Sequence, residues 1–162
     1  MTALIAELIL LLVALPGQSL AQAVASVPEP AKDPFVGTWK ANEGKSGPKY
    51  KDYTADLVTF SRDGDDLIAS YRRKFNWGLL VENNGRMRCD GLLRKVQCGT
   101  FHCRSSCTYL TPNHIDGVFE GPVAKSYWTR EVSPDGQEMT TCEYRDKAKK
   151  KLESLLVRNR VK

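Results

Sequence analysis

The sequence predicts an all-β domain of many short antiparallel strands. Between residues 67 and 75, apolar and polar side chains alternate with a period of two, the pattern of a half-buried strand. Asn-Gly and Asp-Gly dipeptides recur along the chain, and they suit tight hairpins because both central residues take positive φ. They are Asp63-Gly64, Asn84-Gly85, Asp90-Gly91, Asp116-Gly117 and Asp135-Gly136. Many strands with little room for helices indicate a closed barrel or a sandwich.

The runs between these turns predict about nine strands. They cover residues 35–41, 53–62, 67–75, 92–98, 107–111, 115–120, 123–132, 138–145 and 155–161. The last run is ambiguous, because residues 147–156 also fit a helical turn with three leucines on one side. The pattern therefore favours strands throughout and leaves one possible turn of helix near the end of the chain.

The first 23 residues are typical of a cleavable secretory signal. Residues 3–15 are apolar apart from Glu7, and the small-residue site Ala21-Gln22-Ala23 follows. We expect cleavage near Ala23, a proline-containing linker over 24–32 and a folded domain over 33–162. An uncleaved anchor or a misplaced start is the alternative. The signal predicts a periplasmic or secreted protein, in which disulfides are permitted.

The net charge of +5 is concentrated near the C-terminus. Residues 145–162 hold eight basic and two acidic residues, a balance of +6, whereas the 16 basic and 16 acidic residues of 24–144 cancel. This distribution does not predict a nucleic-acid partner. A basic end fits either a solubilising charged turn or weak contact with an anionic membrane surface or polysaccharide.

Residues 33–40, D-P-F-V-G-T-W-K, carry the pattern G-x-W at Gly37 and Trp39. This segment resembles the first strand of lipocalins and of the wider calycin superfamily. Residues 133–141, S-P-D-G-Q-E-M-T-T, are similar to a hairpin of small exported bacterial lipocalin-like domains of uncharacterised role. The resemblance implies a single antiparallel up-and-down β-barrel of about eight to ten strands over 33–162, with little helix.

The G-x-W pattern has a structural interpretation. Gly37 provides backbone freedom where a strand bends, and Trp39 points to the same face two residues later. In a calycin barrel this tryptophan would plug the closed end, and a basic side chain from a late strand commonly covers its indole ring. Arg158 and Arg160 fit that role by position, and Arg130 fits less well. We expect Arg158 to occupy it.

A barrel of this size implies non-catalytic binding of one small, mostly apolar ligand in its interior. The inward-facing aromatic residues predicted to line such a cavity are Phe60, Tyr71, Phe75, Phe119, and Tyr127 or Trp128. Plain core packing is the alternative for each of them. No catalytic residues are predicted, because the two histidines, His102 and His114, belong to no recognisable catalytic motif.

Five cysteines follow the signal, so at least one thiol is unpaired or intermolecular if the others form disulfides. A bridge between Cys98 and Cys107 is our first expectation, and one between Cys98 and Cys103 is the second. With His102, the same stretch could instead form a metal or thiol-redox site. It lacks the C-x-x-C spacing of familiar zinc modules and the C-x-x-C-H of covalent haem, so neither metal nor cofactor is predicted.

Three classes of function are therefore compatible with the sequence. The favoured one is an exported binding barrel for a small lipophilic molecule. The second is a surface or structural module whose basic segment, residues 145–162, binds anionic lipid or polysaccharide. The third is a metal or thiol-redox protein that uses the cysteine cluster.

Overall fold

The structure is a computed structural model that describes residues 33–48, 53–98 and 101–162, without the side chains of residues 97 and 98. The predicted signal over 1–23 and the predicted linker over 24–32 lie outside the described residues. Within the described ranges, no helix is long and apolar enough to cross a membrane.

Ten strands make up almost all of this domain. They are β1 Gly37–Ala41, β2 Tyr53–Asp63, β3 Asp66–Phe75, β4 Leu80–Arg88, β5 Arg94–Cys98, β6 Phe101–Thr111, β7 His114–Glu120, β8 Lys125–Val132, β9 Glu138–Tyr144 and β10 Leu152–Arg160.

The strands form one antiparallel sheet that curls into a nearly closed barrel. Their order is β4-β3-β2-β1-β10-β9-β8-β7-β6-β5, so each strand pairs with its neighbours in sequence and β1 pairs with β10. The two edge strands of the sheet, β4 and β5, are consecutive in the chain and leave a gap in the wall. The predicted all-β, up-and-down architecture is confirmed, and residues 152–160 are strand rather than helix.

Three of the predicted dipeptide turns lie between strands. Gly64, Gly91 and Gly136 have φ of 56°, 81° and 69°, which are left-handed conformations that glycine adopts without a steric penalty. Gly64 joins β2 to β3, Gly91 lies between β4 and β5, and Gly136 joins β8 to β9. These connections lie at the same end of the barrel, because the connections of an antiparallel meander alternate between its two ends.

The other two dipeptides are not turns. Asn84-Gly85 lies inside β4, where Gly85 pairs with Ala69, and Asp116-Gly117 lies inside β7, where Gly117 pairs with Trp128. The expectation of a hairpin at Asn84 is wrong because residues 80–88 form an additional strand whose polar, exposed side chains concealed it. The tertiary pairing of the sheet outweighs the local turn preference there.

One end of the barrel is plugged by Trp39, whose side chain is fully buried and whose Nε1 donates to the carbonyl of Phe35 at 2.9 Å. Val58, Phe60, Leu67, Ile115 and Met139 belong to the same apolar core. We call this the plugged end, and we call the opposite end, formed by the connections β3–β4, β5–β6, β7–β8 and β9–β10, the open end.

The residue that covers the plug is Arg160, not Arg158 as expected. The register of β1 against β10 places Arg160 directly opposite Trp39. It places Arg158 opposite Ala41, two residues further into the barrel. The guanidinium of Arg160 donates to the carbonyls of Pro34, Val36 and Gly136 at 2.6–2.8 Å. Arg158 instead points into the interior, where it forms part of the site described below.

A disulfide joins Cys89, just after β4, to Cys107 in β6, with their Cα atoms 4.3 Å apart. The expected Cys98–Cys107 bridge is therefore wrong. Cys107 lies beside the connection that follows β4, and the amide of Gly91 donates to its carbonyl at 2.8 Å. Cys103 is also disulfide-bonded, whereas the side chain of Cys98 lies outside the described residues. The Cys89–Cys107 bridge fastens the wall at the plugged end of the gap.

Candidate functional site

The barrel interior contains two adjoining cavities of about 290 and 320 Å³, which together we call the interior cavity. Both are lined by Tyr71, Arg130, Thr141 and Glu143. Residues such as Arg73 of β3 and Phe119 of β7 also line it, and they lie in the parts of their strands nearest the open end. The interior cavity therefore extends from Arg130 and Arg158, which lie toward the plugged end of their strands, to residues near the open end.

Arg130 is the most unusual residue of the interior cavity. It projects inward from β8 and is only 7% exposed. Its Nε donates to Thr141 Oγ1 at 3.3 Å, and its Nη1 is buried without a hydrogen-bond partner among the described residues. The guanidinium carbon lies 4.9 Å from the ring centre of Phe60 and 5.3 Å from that of Trp128. Two aromatic rings thus hold a buried cation whose hydrogen-bonding capacity is incompletely used.

Arg158 of β10 is also buried, and Asp56 of β2 is its ion-pair partner. Arg158 Nη2 donates to Asp56 Oδ1 at 2.8 Å, and Arg73 Nε donates to Asp56 Oδ2 at 3.0 Å. Burial lowers the pKa of the Arg158 guanidinium, with Asp56 acting in the opposite direction. The Nε of Arg158 has no hydrogen-bond partner among the described residues. One carboxylate is therefore shared between two guanidinium groups.

Glu143 of β9 supplies the second carboxylate of the interior cavity. Its Oε2 accepts a hydrogen bond from Ser154 Oγ at 2.7 Å. Among the described residues, the cations Arg73, Arg130 and Arg158 therefore outnumber the anions Asp56 and Glu143 by one, and Arg130, Arg158 and Asp56 are buried. Such an excess favours the entry of an anionic group.

The aromatic residues expected in the cavity occupy different places. Tyr71, Phe119 and Trp128 line the interior cavity. Phe60 is buried beneath Arg130 as part of the core.

The remaining two aromatic candidates lie elsewhere. Phe75 stacks on the exposed Trp77 near the open end, with ring centres 4.5 Å apart, and is not among the residues that line the interior cavity. Tyr127, the alternative to Trp128, lies on the opposite face of β8, beneath Lys125 at 5.7 Å from its ring centre. Neighbouring side chains of a strand point to opposite faces, so only one of these two residues can face inward.

The position of Trp128 depends on a glycine in the neighbouring strand. Gly117 is its cross-strand partner, and a Cβ atom on Gly117 would lie 2.1 Å from atoms of the Trp128 ring. The indole therefore lies flat against the backbone of β7. This contact fixes the ring as one wall of the interior cavity and leaves space in front of it.

A third cavity, of about 240 Å³, lies at the gap between β4 and the β5–β6 hairpin. Asp66, Arg86, Arg88 and Arg94 contribute to its lining. Asp66 accepts hydrogen bonds from Arg88 and Arg86 at 2.6 Å, and these interactions lower the pKa of its carboxyl. Each of these arginines already has an acidic partner, so the gap cavity has less unused donor capacity than the interior cavity.

The cysteine-rich stretch has no metal-binding geometry in the part of the chain that the structure describes. No group of three or more His, Cys, Asp and Glu side chains there is arranged to hold a metal ion. His102 is exposed whereas Cys103 is buried, as expected for neighbours in a strand. Among the described cysteines, Cys142 has a free thiol. The disulfide at Cys107 gives this residue a structural role.

Most of the polar residues of the site do not follow from the sequence patterns above. The sequence patterns identify Arg130 only as a less suitable partner for Trp39. They do not identify Asp56, Thr141 or Glu143. Asp56 precedes Val58 and Phe60 at a spacing of two, so the alternation already places a charged side chain on the inward face of β2. A charged residue in an inward-facing series is the signal that would have identified the site.

Comparisons with known proteins identify this architecture. The chain is similar to the Echinococcus granulosus fatty-acid-binding protein 1, with 13% identity and a TM-score of 0.57 over 80% of this chain and 98% of that one. It is also similar to a Schistosoma mansoni fatty acid binding protein solved in complex with arachidonic acid, with 15% identity and a TM-score of 0.54 over 80% and 97% of the two chains.

The wild-type fluorescent protein UnaG is a third structural neighbour, with 12% identity and a TM-score of 0.54 over 78% of this chain and 97% of that one. No protein-family model and no curated protein matches the sequence. At these identities the similarity establishes the barrel fold.

Proposed function

We propose that the protein binds one small, mostly apolar ligand with an anionic group inside the barrel, and that the anionic group lies against Arg130. The observation that carries the proposal is the buried Nη1 of Arg130, which has no hydrogen-bond partner among the described residues. A buried donor of this kind costs free energy until an acceptor occupies the adjacent space. A carboxylate would supply that acceptor and balance the excess positive charge.

The other charged groups support the choice of an anion. Asp56 already accepts hydrogen bonds from Arg158 and Arg73, so it is committed to two cations. Glu143 is engaged by Ser154. A neutral ligand would leave Arg130 buried without a counter-charge in contact, whereas an anion would form a charge-assisted hydrogen bond with it.

The remaining lining supports an apolar body for the ligand. Trp128, Phe119 and Met87 contribute apolar surface to one part of the interior cavity. The two parts measure about 290 and 320 Å³, which is at the lower end of the range for small-molecule sites. The Schistosoma mansoni neighbour was solved with arachidonic acid, a carboxylic acid with a long apolar chain, and this supports the same ligand class here.

Two ligands that differ only in charge test this proposal. Dodecanoate and its methyl ester have the same chain, but only the free acid carries a carboxylate. We expect isothermal titration to show one site that binds dodecanoate about 10- to 100-fold more tightly than the ester. Arg130→Met should remove most of this difference. Arg72→Gln, on the outward face of β3, is the control and should leave it unchanged. Equal binding of acid and ester by the unaltered protein would reject the anionic site.

We also propose that the protein acts outside the cytoplasm. The apolar segment over residues 3–15 and the small-residue site that ends at Ala23 support export. The disulfide between Cys89 and Cys107 is compatible with an oxidising compartment. N-terminal sequencing of the protein isolated from its host should find a start near Val24 or Ser26. A chain that retains Met1 in the cytoplasmic fraction would refute export.

A further inference from the structure

Large exposed apolar side chains are concentrated at the open end of the barrel. Of the eleven such side chains among the described residues, seven lie on or beside the connections of this end. They are Trp77, Leu79, Leu80, Val81, Phe101, Val123 and Leu152. A cluster of this kind at one end of a water-facing domain is typical of an interaction surface.

Trp77, at the tip of the β3–β4 connection, is the most informative member of this cluster. It is 67% exposed, although its ring stacks on Phe75 with centres 4.5 Å apart. Phe75 in turn packs against Tyr53 at 4.7 Å. The aromatic stack holds the indole at the tip rather than drawing it into the core. Val123, at the tip of the β7–β8 connection, is 95% exposed at the same end.

The β9–β10 connection adds positive charge to this surface. Lys147, Lys150 and Lys151 are exposed, and none of them forms an ion pair with the described residues. Neighbouring basic residues do have partners, since Lys149 pairs with Asp116 and Arg145 with Glu153. Three exposed lysines without an ion pair therefore accompany the exposed apolar tips, and Asp146 is the one acidic residue of the same connection.

We infer that the open end docks on an anionic phospholipid bilayer. Tryptophan is favoured at the boundary between lipid headgroups and hydrocarbon, and lysines are attracted to the negative surface potential of anionic lipids. A polysaccharide would satisfy the lysines but offers no hydrocarbon phase for Trp77 and Val123. The interior cavity extends toward this end, so docking would bring it close to the lipid surface. The docking itself does not depend on the proposed ligand.

Variants of the apolar tips test the docking by sedimentation with vesicles of phosphatidylcholine containing about one quarter phosphatidylserine. The full chain carrying Trp77→Ser and Val123→Ser should bind at least about 10-fold more weakly than the unaltered chain, because two apolar side chains no longer enter the bilayer. The matched control is Leu92→Ser with Leu110→Ser, which removes two exposed leucines at the plugged end and should have no effect.

All of these chains retain residues 1–32, so a contribution of that apolar segment is common to them. If the segment alone held the protein on the vesicles, the tip variants would bind as well as the unaltered chain, and that result would overturn the proposal. Quenching by brominated lipid provides a second measurement. It should affect Trp77 most, since Trp39 is fully buried and Trp128 faces the interior cavity. A Trp77→Phe chain that is quenched as strongly as the unaltered chain would also contradict the docking.

Charge variants test the lysines separately. The triple variant with Lys147→Gln, Lys150→Gln and Lys151→Gln should bind vesicles more weakly, by about fivefold for each lysine replaced. About 0.5 M salt should also weaken the binding of the unaltered chain to vesicles. The control substitutes three lysines elsewhere on the barrel, Lys40, Lys95 and Lys162, with glutamine and should bind normally. Equal losses in both triple variants, or binding to soluble anionic polysaccharide but not to vesicles, would overturn the assignment.

Discussion

The guanidinium carbon of Arg160 lies 4.1 Å from the centre of the Trp39 ring. The same guanidinium donates to three backbone carbonyls from two separate segments, residues 34–36 and the β8–β9 connection. Arg160 therefore joins the start of the domain, its last strand and a turn around one buried indole. This contact, rather than any single strand pair, closes the plugged end.

Arg160→Leu should lower the free energy of unfolding by about 3 kcal/mol. The substitution removes a cation over an aromatic ring and leaves three carbonyls without their donor. Urea unfolding monitored by tryptophan fluorescence measures the loss. Arg145→Leu is the control, because Arg145 is an exposed residue that forms one surface ion pair, and it should cost less than about 1 kcal/mol. A comparable loss in both variants would contradict the role assigned to Arg160.

Gly37→Ala should destabilise the protein more than Gly64→Ala. Both glycines have positive φ, 136° and 56°, so both substitutions introduce backbone strain of about 1 kcal/mol or more. A Cβ atom on Gly37 would also lie 2.4 Å from Arg160 Nη1, whereas one on Gly64 would meet nothing within 4 Å. The difference between the melting temperatures of the two variants measures the destabilisation that is due to steric overlap with Arg160. Equal melting temperatures would show that Arg160 moves aside without cost.

The two buried arginines of the interior cavity should respond differently to substitution. Arg130→Met is expected to leave the ligand-free protein as stable as before or more stable, by about 1–3 kcal/mol, because it removes a buried charge that is not fully paired. Arg158→Met should instead cost about 3 kcal/mol, because it breaks the buried pair with Asp56. Denaturant unfolding without ligand gives both values. A large loss of stability in Arg130→Met would indicate a structural role for Arg130 and weaken its assignment as the anion site.

Gly117→Ala should disturb the interior cavity through Trp128. The added Cβ would overlap the indole, which must rotate away from β7 and into the space where the ligand is proposed to bind. We expect a shifted tryptophan emission spectrum and at least about 10-fold weaker dodecanoate binding. Gly85→Ala is the matched control, because that glycine also lies within a strand and a Cβ atom on it would meet nothing within 4 Å. Unchanged emission and affinity in Gly117→Ala would contradict the described packing.

Stability should fall between about pH 4 and pH 2, partly through Asp90. Hydrogen bonds from Arg94 lower the pKa of this carboxyl from 3.8 to about 2. A carboxyl whose pKa is lower in the folded state stabilises the protein above its unfolded pKa, and it loses that contribution as the pH falls through the folded pKa. Asp90→Asn should therefore flatten the decline of the urea midpoint in this window. Asp65→Asn, at an exposed turn, is the control and should show the same decline of the urea midpoint with falling pH as the unaltered protein. An equal decline in the unaltered protein and both variants would refute the assignment.

The sequence was sufficient for the fold but not for the site. Periodicity and the glycines at 64, 91 and 136 predicted an antiparallel meander, because these signals depend on local backbone geometry. The choice between Arg158 and Arg160 required the register of β1 against β10, which local patterns do not specify. The strand at 80–88 was missed because it is an exposed edge with few apolar residues.

The cysteines and the buried charges depend on closure of the barrel in the same way. The Cys89–Cys107 bridge crosses the gap between strands that are not paired, so no hairpin geometry predicts it. Arg130, Asp56 and Arg158 belong to three strands that are distant in sequence and meet only when the barrel closes. The sequence shows the charge of each residue, but the three side chains come close together only because the sheet closes.

The most direct test of the proposed site is a crystal structure with 12-bromododecanoate, in which anomalous scattering from bromine marks the apolar end of the ligand. We predict one molecule in the interior cavity, with its carboxylate within about 3.2 Å of Arg130 Nη1 and its bromine away from that group. A carboxylate bound instead in the gap cavity beside Arg86 and Arg94, or a barrel interior that holds no ligand at saturating concentration, would contradict the account.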